Sequence, residues 1–475
     1  MTVRTNALSE LRALSKIIQE SIDSIEAAVT AESVEFPSAY TPLTMESEAA
    51  RMLPEVEKAC ALIVSATSQL AFAVRSPLQS IVTVALQHQV SAALGVAAAA
   101  NIAEACREAG PQGAHVRDLA HASHVDPAKL SRILRLLATN HVFVEVSPDV
   151  FANNRVSSAL DTGKAVWALL QSPGTKHVGT LGIAAAVGHC TDEGMKAASY
   201  LQDVMLDPKL GPSTEPNDAA LNAAFNTKLS AWEWFESPGN EHRQLRFGIT
   251  MEGSKQAASL NAIKEGFDWD ALESGSIVVD VGGGIGAQSM AITQTFPHLR
   301  VIVQDREQTV KDAVSFWEGQ MPGVLQSGRV TLQAHDFFTP QPVKDASVFV
   351  VRQVLHDWPD KQCLDILRQL RGAATPNTRL IIIDNLMSYA CVEEELRNIP
   401  GALRDLPPPP LLPNGGHSST FAYTEDMLML EMSNGQERTI RQVKELMARS
   451  GWKLESVHRS APSAWSTQKA IGVPV

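Results

Sequence analysis

The sequence has no CxxC pair and no regular cysteine spacing. Its cysteines are odd in number and scattered along the chain: Cys60, Cys106, Cys190, Cys363 and Cys391. Cysteine-based zinc sites and disulfide frameworks need pairs or recurring spacings, so the sequence predicts neither. This usage is typical of a reducing compartment.

The chain also lacks an excess of positive charge and an uninterrupted hydrophobic run. Its formal net charge is -12 over 475 residues, which argues against nucleic acid or an anionic membrane as the main partner. The first residues, MTVRTNALSELRALSKII, have no apolar signal core. The most apolar window, Ile81–Ala103, contains several polar side chains, and we expect a buried helix there rather than a membrane span. The prediction is a cytoplasmic protein.

The length suffices for two or three domains of about 100–200 residues each. Apolar residues at helical spacing in 5–33 and 45–75 indicate helices. We divide the chain into a helical extension (1–80), a winged-helix-like domain (81–165), a helical linker (166–270) and an α/β domain (271–475).

The winged-helix prediction depends on residues 116–152. A short helix over Val116–Ala122 is followed by Asp126, a good N-cap, with Pro127 at the first helical position. Two short strands, Val142–Val146 and Val150–Ala152, would form the wing. Basic residues on the second helix, which are Lys129, Arg132 and Arg135, would suit DNA binding. The alternative is a winged helix used for packing or dimerisation, which the acidic balance of the chain favours.

From residue 275 onward, strands and helices alternate. The predicted strands are Ile277–Val281, Val301–Gln304, Val330–Gln333, Ser347–Val351 and Leu380–Ile383, with Trp452–Val457 and the tail as the last ones. Helices between most of them predict a doubly wound, mostly parallel sheet. The proline- and glycine-rich stretch Asp405–Gly416 is predicted to be a surface loop.

The first predicted strand runs into VVDVGGGIGA, Val278–Ala287. Its glycines, among them Gly282 and Gly283, allow a sharp turn and close approach of a ligand to a helix N-terminus. Asp305 ends the next strand and can accept hydrogen bonds from the hydroxyls of a ribose. This pattern suits NAD and S-adenosylmethionine (SAM) equally.

Further features favour SAM. Asp280 lies beside the loop, where a carboxylate suits an ammonium group and would repel a pyrophosphate. Asp336 and Phe337 follow the third strand, where an adenine would lie. In VRQVLHDWPD, Val351–Asp360, the side chains of Arg352 and His356 follow the fourth strand. A histidine of near-neutral pKa is a suitable base for a phenol proton, although this segment could equally serve to start a helix.

Two acids could orient His356 by accepting its other N–H group. Asp384 ends the fifth strand, and Glu437 lies in NGQERT at the start of a helix. For Glu437, a favourable charge at a helix N-terminus is the alternative explanation.

Together these residues resemble the class I SAM-dependent O-methyltransferases of the plant and fungal caffeate/flavonoid type. The resemblance covers roughly residues 80–475. VVDVGGGIGA, RQVLHDWPD and MSNGQERT match the family's motifs in order, and the winged helix matches its dimerisation domain. The lengths of the first 80 residues and of the loops resemble fungal secondary-metabolite methyltransferases.

The resemblance implies a Rossmann-like SAM-methyltransferase domain preceded by a mainly helical winged-helix dimerisation domain. It implies cofactor binding at Gly282, Gly283, Asp305, Asp336, Phe337 and Arg352. His356 would be the catalytic base and Asp384 and Glu437 its orienting acids, although plant members often have Glu at the position of Asp384. Phe247, Met251, Met427 and Met429 could line the acceptor pocket or belong to the core.

The expected reaction is methylation of an aromatic hydroxyl by SAM, which leaves S-adenosylhomocysteine and requires no metal. A homodimer through the N-terminal region is expected, with no nucleic acid or membrane partner. Three alternatives remain: an NAD-dependent oxidoreductase, a winged-helix regulator with a SAM-sensing domain, and a catalytically inactive dimer partner.

Overall fold

A computed structural model describes residues 7–257, 262–459 and 467–475. The chain divides into two compact units. The N-terminal unit comprises Met1–Tyr200, Trp232–Gln256 and Pro408–Leu411. The C-terminal unit comprises Leu201–Ala231, Ala257–Pro407 and Leu412–Val475. The predicted combination of a mainly helical N-terminal part with a Rossmann-like sheet domain is confirmed, while the four-part division of the chain stays a prediction.

The helices of the N-terminal unit account for most of its residues. They are α1 (Ala7–Glu32), α2 (Pro54–Val74), α3 (Pro77–Ala85), α4 (His88–Ala99), α5 (Ile102–Ala109), α6 (Val116–Ser123), α7 (Pro127–Thr139), α8 (Arg155–Ser158), α9 (Val166–Gln171), α10 (Ile183–His189), the first part of α11 (Met195–Leu206), α13 (Ala231–Glu236) and α14 (Glu241–Ala257). A π-helical turn, Cys190–Gly194, connects α10 to α11.

The two long helices at the start of the unit pack against each other. Leu14 and Ile17 of α1 form an apolar cluster with Ala66 of α2. Leu411, from the proline-rich stretch predicted to be a surface loop, joins this cluster and is only 6% exposed. That prediction is therefore wrong at Leu411, because its side chain is buried between apolar neighbours, although much of the stretch is exposed.

The apolar window Ile81–Ala103 is not one buried helix. It spans the end of α3, all of α4 and the start of α5. The side chains of Ile81 and Val84 are 66% and 60% exposed, so the expectation of burial is wrong for α3. By length and composition alone, α2 and the stretch Pro77–Ala99 are long and apolar enough to cross a membrane, which is weak evidence for a span.

The helix–turn–helix and hairpin predicted over residues 116–152 are present. Asp126 caps α7 by accepting a hydrogen bond from the backbone N–H of Lys129 (3.0 Å). Strands β2 (Val144–Ser147) and β3 (Val150–Ala152) pair antiparallel, and β1 (Ala114–His115), which was not predicted, pairs with β3.

Arg135, one of the basic residues that suited DNA binding, forms ion pairs within this domain. Its guanidinium group contacts Glu145 at 2.8 Å and Asp149 at 2.9 Å. Its charge is therefore paired in the structure, which removes one of the groups on which the DNA-binding alternative depended.

The C-terminal unit contains a seven-stranded sheet. The strands are β4 (Ile277–Val281), β5 (Arg300–Asp305), β6 (Val330–Ala334), β7 (Ala346–Arg352), β8 (Arg379–Asp384), β9 (Trp452–Arg459) and β10 (Gln468–Pro474). Their order is β6-β5-β4-β7-β8-β10-β9. The strands from β6 to β8 are parallel, and β10 pairs antiparallel with both β8 and β9.

Helices α15 (Ala287–Thr295) and α16 (Glu307–Gln320) pack on one face of this sheet, and α17 (Asp360–Ala373) and α19 (Ile440–Arg449) pack on the other. Helices α12 (Ala220–Ala224) and α18 (Thr420–Ser433) also belong to the unit. Successive residues of a strand point to opposite faces, so Val278 and Val279 enter different apolar clusters. Burial on both faces explains the continuous β-branched runs of the central strands and confirms the predicted doubly wound sheet.

Candidate active site

The glycine loop connects β4 to α15 at the carboxyl edge of the sheet. Gly282 has a positive φ of 68°, and a Cβ atom there would lie 2.7 Å from Cγ2 of Val354. The backbone N–H of Gly283 donates to the carbonyl of Gln304 (3.1 Å), which fixes the loop against β5. Only glycine fits at position 282, because a Cβ atom would clash with Val354 and because a positive φ strains the backbone of other residues.

Asp305, the predicted ribose-binding residue, lies directly against this loop. Its Oδ2 atom accepts a hydrogen bond from the backbone N–H of Gly284 at 2.8 Å, and its Oδ1 atom accepts from Arg306 at 2.8 Å. The carboxylate is therefore oriented beside the loop. Each carboxylate oxygen can accept two hydrogen bonds, so these contacts are compatible with ribose binding by Asp305, which stays a prediction.

Phe337 approaches the same loop from the segment after β6. Its Cε1 atom is 3.7 Å from the position that a Cβ atom on Gly282 would occupy. The preceding residue, Asp336, caps the turn by accepting a hydrogen bond from the backbone N–H of Phe338 at 3.0 Å. The structure thus brings Phe337 into contact distance of the Gly282 position, and the roles of Phe337 and Asp336 at an adenine stay predictions.

Asp280 and Arg352 form the charged side of the loop. The Asp280 carboxylate is buried and accepts a hydrogen bond from Ser289 Oγ at 2.6 Å. A Cβ atom on Gly283 would lie 2.6 Å from its Cγ atom. Burial lowers the pKa of Arg352, and the charges of Asp280 and Asp384 act against that shift. Arg352 therefore lies within electrostatic range of both acids.

These residues fit SAM better than a dinucleotide. The backbone of the loop at Gly283 is in close contact with the Asp280 carboxylate. A negative charge there would repel a pyrophosphate and attract an ammonium group. Asp305 and Phe337 supply a carboxylate and an aromatic ring for a nucleoside. SAM contains both a nucleoside and an ammonium group and has no phosphate.

His356 lies in a 3₁₀ turn, Leu355–Asp357, that follows β7. The side chain is buried, with 7% of the residue exposed. Its Nδ1 atom lies 2.6 Å from Oε1 of Glu437, which is 2% exposed. The Nε2 atom is 3.6 Å from Oδ1 of Asp357, too far for a hydrogen bond. Glu437 thus fixes the ring and leaves Nε2 as the nitrogen that can accept a proton.

Carboxyl groups dominate the electrostatics around His356. Burial by itself would lower the pKa of His356, but the Glu437 and Asp357 carboxylates outweigh it and raise this pKa well above its ordinary value. Burial raises the pKa of Asp384 to about 7 and that of Asp357 to about 6, and the imidazolium opposes both shifts. Asp384 is within electrostatic range of His356, but no hydrogen bond to the ring shows it as an orienting acid.

The backbone of the NGQERT segment is attached to the segment that carries His356. The N–H of Gln436 donates to the carbonyl of His356 at 2.8 Å. A Cβ atom on Gly435 would lie only 2.3 Å from that carbonyl oxygen. Glycine at 435 therefore permits the close approach that places Glu437 beside the imidazole.

Arg438 holds the backbone on both sides of His356, and the sequence analysis did not identify it. Its guanidinium group donates to the carbonyls of Leu355 (2.7 Å) and Trp358 (2.8 Å), which flank His356 on either side. It also pairs with Asp360 at 2.9 Å. The sequence shows this arginine within the QERT motif. It does not show the contact that Arg438 makes, because the partner segment lies about 80 residues earlier in the chain.

The predicted acceptor residues fall into different parts of the chain. Met427 and Met429 lie on α18 in the C-terminal unit. Phe247 and Met251 lie on α14 in the N-terminal unit. Phe247 stacks on Phe235, with ring centroids 4.8 Å apart, as a core residue would. An acceptor-binding role for these four residues remains a prediction.

The geometry thus gives a Rossmann-like, doubly wound sheet with a glycine loop and a buried histidine–carboxylate pair at its carboxyl edge, which is the arrangement of an enzyme site. Family models agree with this class. An O-methyltransferase domain matches residues 215–399, and an O-methyltransferase dimerisation domain matches residues 82–163.

Two fungal relatives match nearly the whole chain. "O-methyltransferase ARMGADRAFT_1088206" of Armillaria gallica is 42% identical over 94% of this chain and 95% of its own length. "4-O-methyltransferase 1" of Phanerochaete chrysosporium is 37% identical over 95% of this chain and 96% of its own length. The chain therefore belongs to the class I SAM-dependent O-methyltransferase family, as the resemblance predicted.

A solved structure supports the fold. "The structure of LepI complex with SAM" superposes with a TM-score of 0.64 at 19% identity, covering 88% of this chain and 94% of that chain. At this identity the likeness shows the fold, and the sequence relatives show the family.

Proposed function

We propose that the protein methylates a phenolic hydroxyl of a small aromatic molecule in secondary metabolism, with His356 as general base. The observation that carries this proposal is the buried His356–Glu437 pair at the carboxyl edge of the sheet. A phenol has a pKa of about 10, only a few units above that of histidine, so one positioned base suffices. The fungal relatives and their names support a hydroxyl acceptor.

SAM supplies a methyl group that is already activated on a sulfonium. Gly282, Asp305 and Phe337 would hold its nucleoside, and Asp280 its ammonium group. The solved neighbour whose title names SAM supports this cofactor.

The residues of the chain hold the acceptor and remove its proton. His356 Nε2 takes the proton of the hydroxyl, while Glu437 holds Nδ1 and stabilises the imidazolium that forms. The acceptor oxygen would then bond to the methyl group as the methyl–sulfur bond of the donor breaks, and S-adenosylhomocysteine would leave. Much of the acceleration comes from alignment of the acceptor with the donor.

No metal takes part in this proposal, because proton removal by His356 and the activated donor complete the reaction. We expect methyl transfer to be unchanged after dialysis against EDTA. A loss that Mg²⁺ or Zn²⁺ restores would contradict this prediction.

We also propose a homodimer formed through the N-terminal unit. The dimerisation-domain match over residues 82–163 and the exposed apolar side chains of α3 support it. A cytoplasmic location, with no nucleic-acid or membrane partner, stays a prediction. Fractionation of cells that express the tagged protein tests it, and recovery with membranes would contradict it.

The test begins with isothermal titration of the purified protein with S-adenosylhomocysteine and, separately, with NADH. We expect tight binding of the first alone, followed by methyl transfer from labelled SAM to members of a panel of phenols. His356→Ala should lower kcat by about 10²- to 10⁴-fold and leave S-adenosylhomocysteine affinity within about twofold. Replacement of the exposed His242 with Ala is the control.

Other outcomes would favour the alternatives. Binding of NADH alone would indicate an oxidoreductase. Binding of S-adenosylhomocysteine without transfer to any phenol, together with salt-dependent DNA binding, would indicate a SAM-sensing regulator.

A further inference from the structure

Two buried glutamines pair with each other beside the glycine loop, and the mechanism assigns them no task. Gln304 is the last residue but one of β5, Gln341 lies between β6 and β7, and each is 1% exposed. The side-chain amide of each donates a hydrogen bond of 2.8 Å to the amide oxygen of the other. The amide nitrogen of Gln304 also donates to Oε1 of Gln333 at 2.8 Å. The Gln304 amide therefore uses both of its N–H groups and its oxygen inside the protein.

This amide pair joins the segments that carry the predicted nucleoside-binding residues. Gln304 directly precedes Asp305, and its carbonyl accepts a hydrogen bond from the backbone N–H of Gly283 at 3.1 Å. Gln341 lies four residues after Phe337. The pair therefore ties the segment that carries Phe337 to the end of β5 and to the glycine loop.

The backbone ladder of the sheet does not extend to Phe337. Its last contact on this side is the hydrogen bond from the N–H of His335 to the carbonyl of Asp305 at 3.0 Å. Phe337 lies two residues further on, in a turn closed by the hydrogen bond from the N–H of Thr339 to the carbonyl of Asp336 at 2.9 Å. The distance between Phe337 and Asp305 thus depends on contacts outside the ladder, and the amide pair is one of them.

Stability alone is a poor explanation for this buried network. Amide groups lose their water when they are buried, so the net contribution of their hydrogen bonds to stability is small. Two apolar side chains of similar shape could replace the pair at nearly the same stability. A fully satisfied polar network differs from an apolar contact because its hydrogen bonds have one preferred geometry, which specifies a single arrangement of the segments.

We propose that Gln304 and Gln341 are positioning residues for the cofactor, whose amide pair sets the distance between Asp305 and Phe337 at the value that the nucleoside of SAM requires. This inference rests on the proposed function, because it takes that nucleoside to lie at Asp305 and Phe337. The two glutamines act through these neighbours and do not contact the ligand. Cofactor affinity should therefore depend on the amide pair even where stability does not.

The test compares Gln304→Leu, Gln341→Leu and the double variant by thermal unfolding and by titration with S-adenosylhomocysteine at a temperature at which all are folded. Each single variant leaves one buried amide without its partner, so its melting temperature and its affinity should both fall. The double variant removes both amides, and most of the lost melting temperature should return. Its affinity should stay about 10- to 100-fold below that of wild type, the range for misplacing a hydrogen bond to a charged group.

The groups that lose a partner in the double variant are within reach of water. They are the side chain of Gln333 and the backbone N–H of Val343, which donates to Oε1 of Gln341 at 3.1 Å. Both residues are half-buried, so solvent can replace these hydrogen bonds. The double variant therefore separates loss of the fixed geometry from loss of stability.

Thr378→Val is the matched control. Thr378 is 0% exposed at the opposite, amino edge of the same sheet, where its Oγ1 atom donates to the carbonyl of Ala346 at 2.8 Å. Loss of this buried hydrogen bond should lower the melting temperature and leave the affinity for S-adenosylhomocysteine at the wild-type value. A double glutamine variant that stays unstable would be compared with this control, and an affinity as high as that of the control would contradict the proposal.

Two further results would overturn the proposal: single variants that bind S-adenosylhomocysteine as tightly as wild type, or a double variant whose affinity returns together with its melting temperature. If wild type binds S-adenosylhomocysteine, each of these results removes only the role of the two glutamines. Failure of wild type to bind it would remove the proposed function as well.

Discussion

The imidazole Nδ1 of His356 lies 2.6 Å from a carboxylate oxygen of Glu437, although 81 residues separate them in the chain. The backbone N–H of Gln436 donates a hydrogen bond to the carbonyl of His356, and this contact holds the two segments, and so the two side chains, together. Both partners are buried, so solvent does not weaken their interaction. Glu437 therefore fixes the position of the proposed base and, together with Asp357, raises its pKa.

Glu437→Gln should change both the rate and the pH dependence of methyl transfer. The Glu437 carboxylate helps to raise the pKa of His356, so its loss lowers that pKa. A base acts only when it is deprotonated, and the rising limb of the kcat profile should therefore move to lower pH. The plateau should fall by about 10- to 100-fold, because the imidazolium loses its stabilising charge.

Stopped assays between pH 5 and pH 9 would measure both effects. Glu445→Gln is the control, because Glu445 is exposed on α19. A rising limb that stays in place would show that Glu437 does not control the protonation of the base.

Gly435→Ala should damage the active site through a single methyl group. The added Cβ would lie 2.3 Å from the His356 carbonyl oxygen and 2.9 Å from the Asp357 carbonyl carbon, so the two segments must separate. We expect destabilisation of about 1–3 kcal/mol, as for other overpacked sites, and a larger loss of kcat than of S-adenosylhomocysteine binding.

Gly372→Ala is the matched control for this variant. Gly372 lies within α17, and nothing lies within 4 Å of the position that a Cβ atom on it would occupy. Alanine there should raise stability by about 0.4–1 kcal/mol. Thermal unfolding measures the stability of both variants. Equal melting temperatures would contradict the inference that position 435 has no room for a side chain.

The homodimer proposal makes a prediction about α3. Ile81 and Val84 expose apolar side chains on this helix, and we expect a second copy of the chain to cover them. Changing both residues to Glu would bury charge at that interface and should convert the dimer to monomers. Light scattering after gel filtration measures the mass, and Gln79→Glu, an exposed change on the same helix, is the control. A dimer that survives the double change would exclude α3 from the interface.

The strands of the sheet could be predicted from the sequence because burial on both faces requires β-branched runs such as Ile277–Val281. The glycine loop, Asp305 and His356 were visible because each lies at or just after the end of such a strand. Local patterns could not show the contact between Asn385 and Glu425, which are 40 residues apart. They also misplaced Ile81, because an exposed apolar residue on a helix has the same local sequence pattern as one in a core.

Arg438→Lys should show how far the backbone around His356 depends on one side chain. The planar guanidinium group reaches the Leu355 carbonyl, the Trp358 carbonyl and the Asp360 carboxylate at once, and a single ammonium group cannot reproduce that geometry. The buried carbonyls left without donors should cost about 2–4 kcal/mol of stability. Since these carbonyls flank His356, kcat should also fall when it is measured well below the melting temperature. Arg449→Lys, at the end of α19, controls for the loss of an arginine. If kcat at low temperature equals that of wild type while the melting temperature drops, Arg438 stabilises the fold without positioning the base.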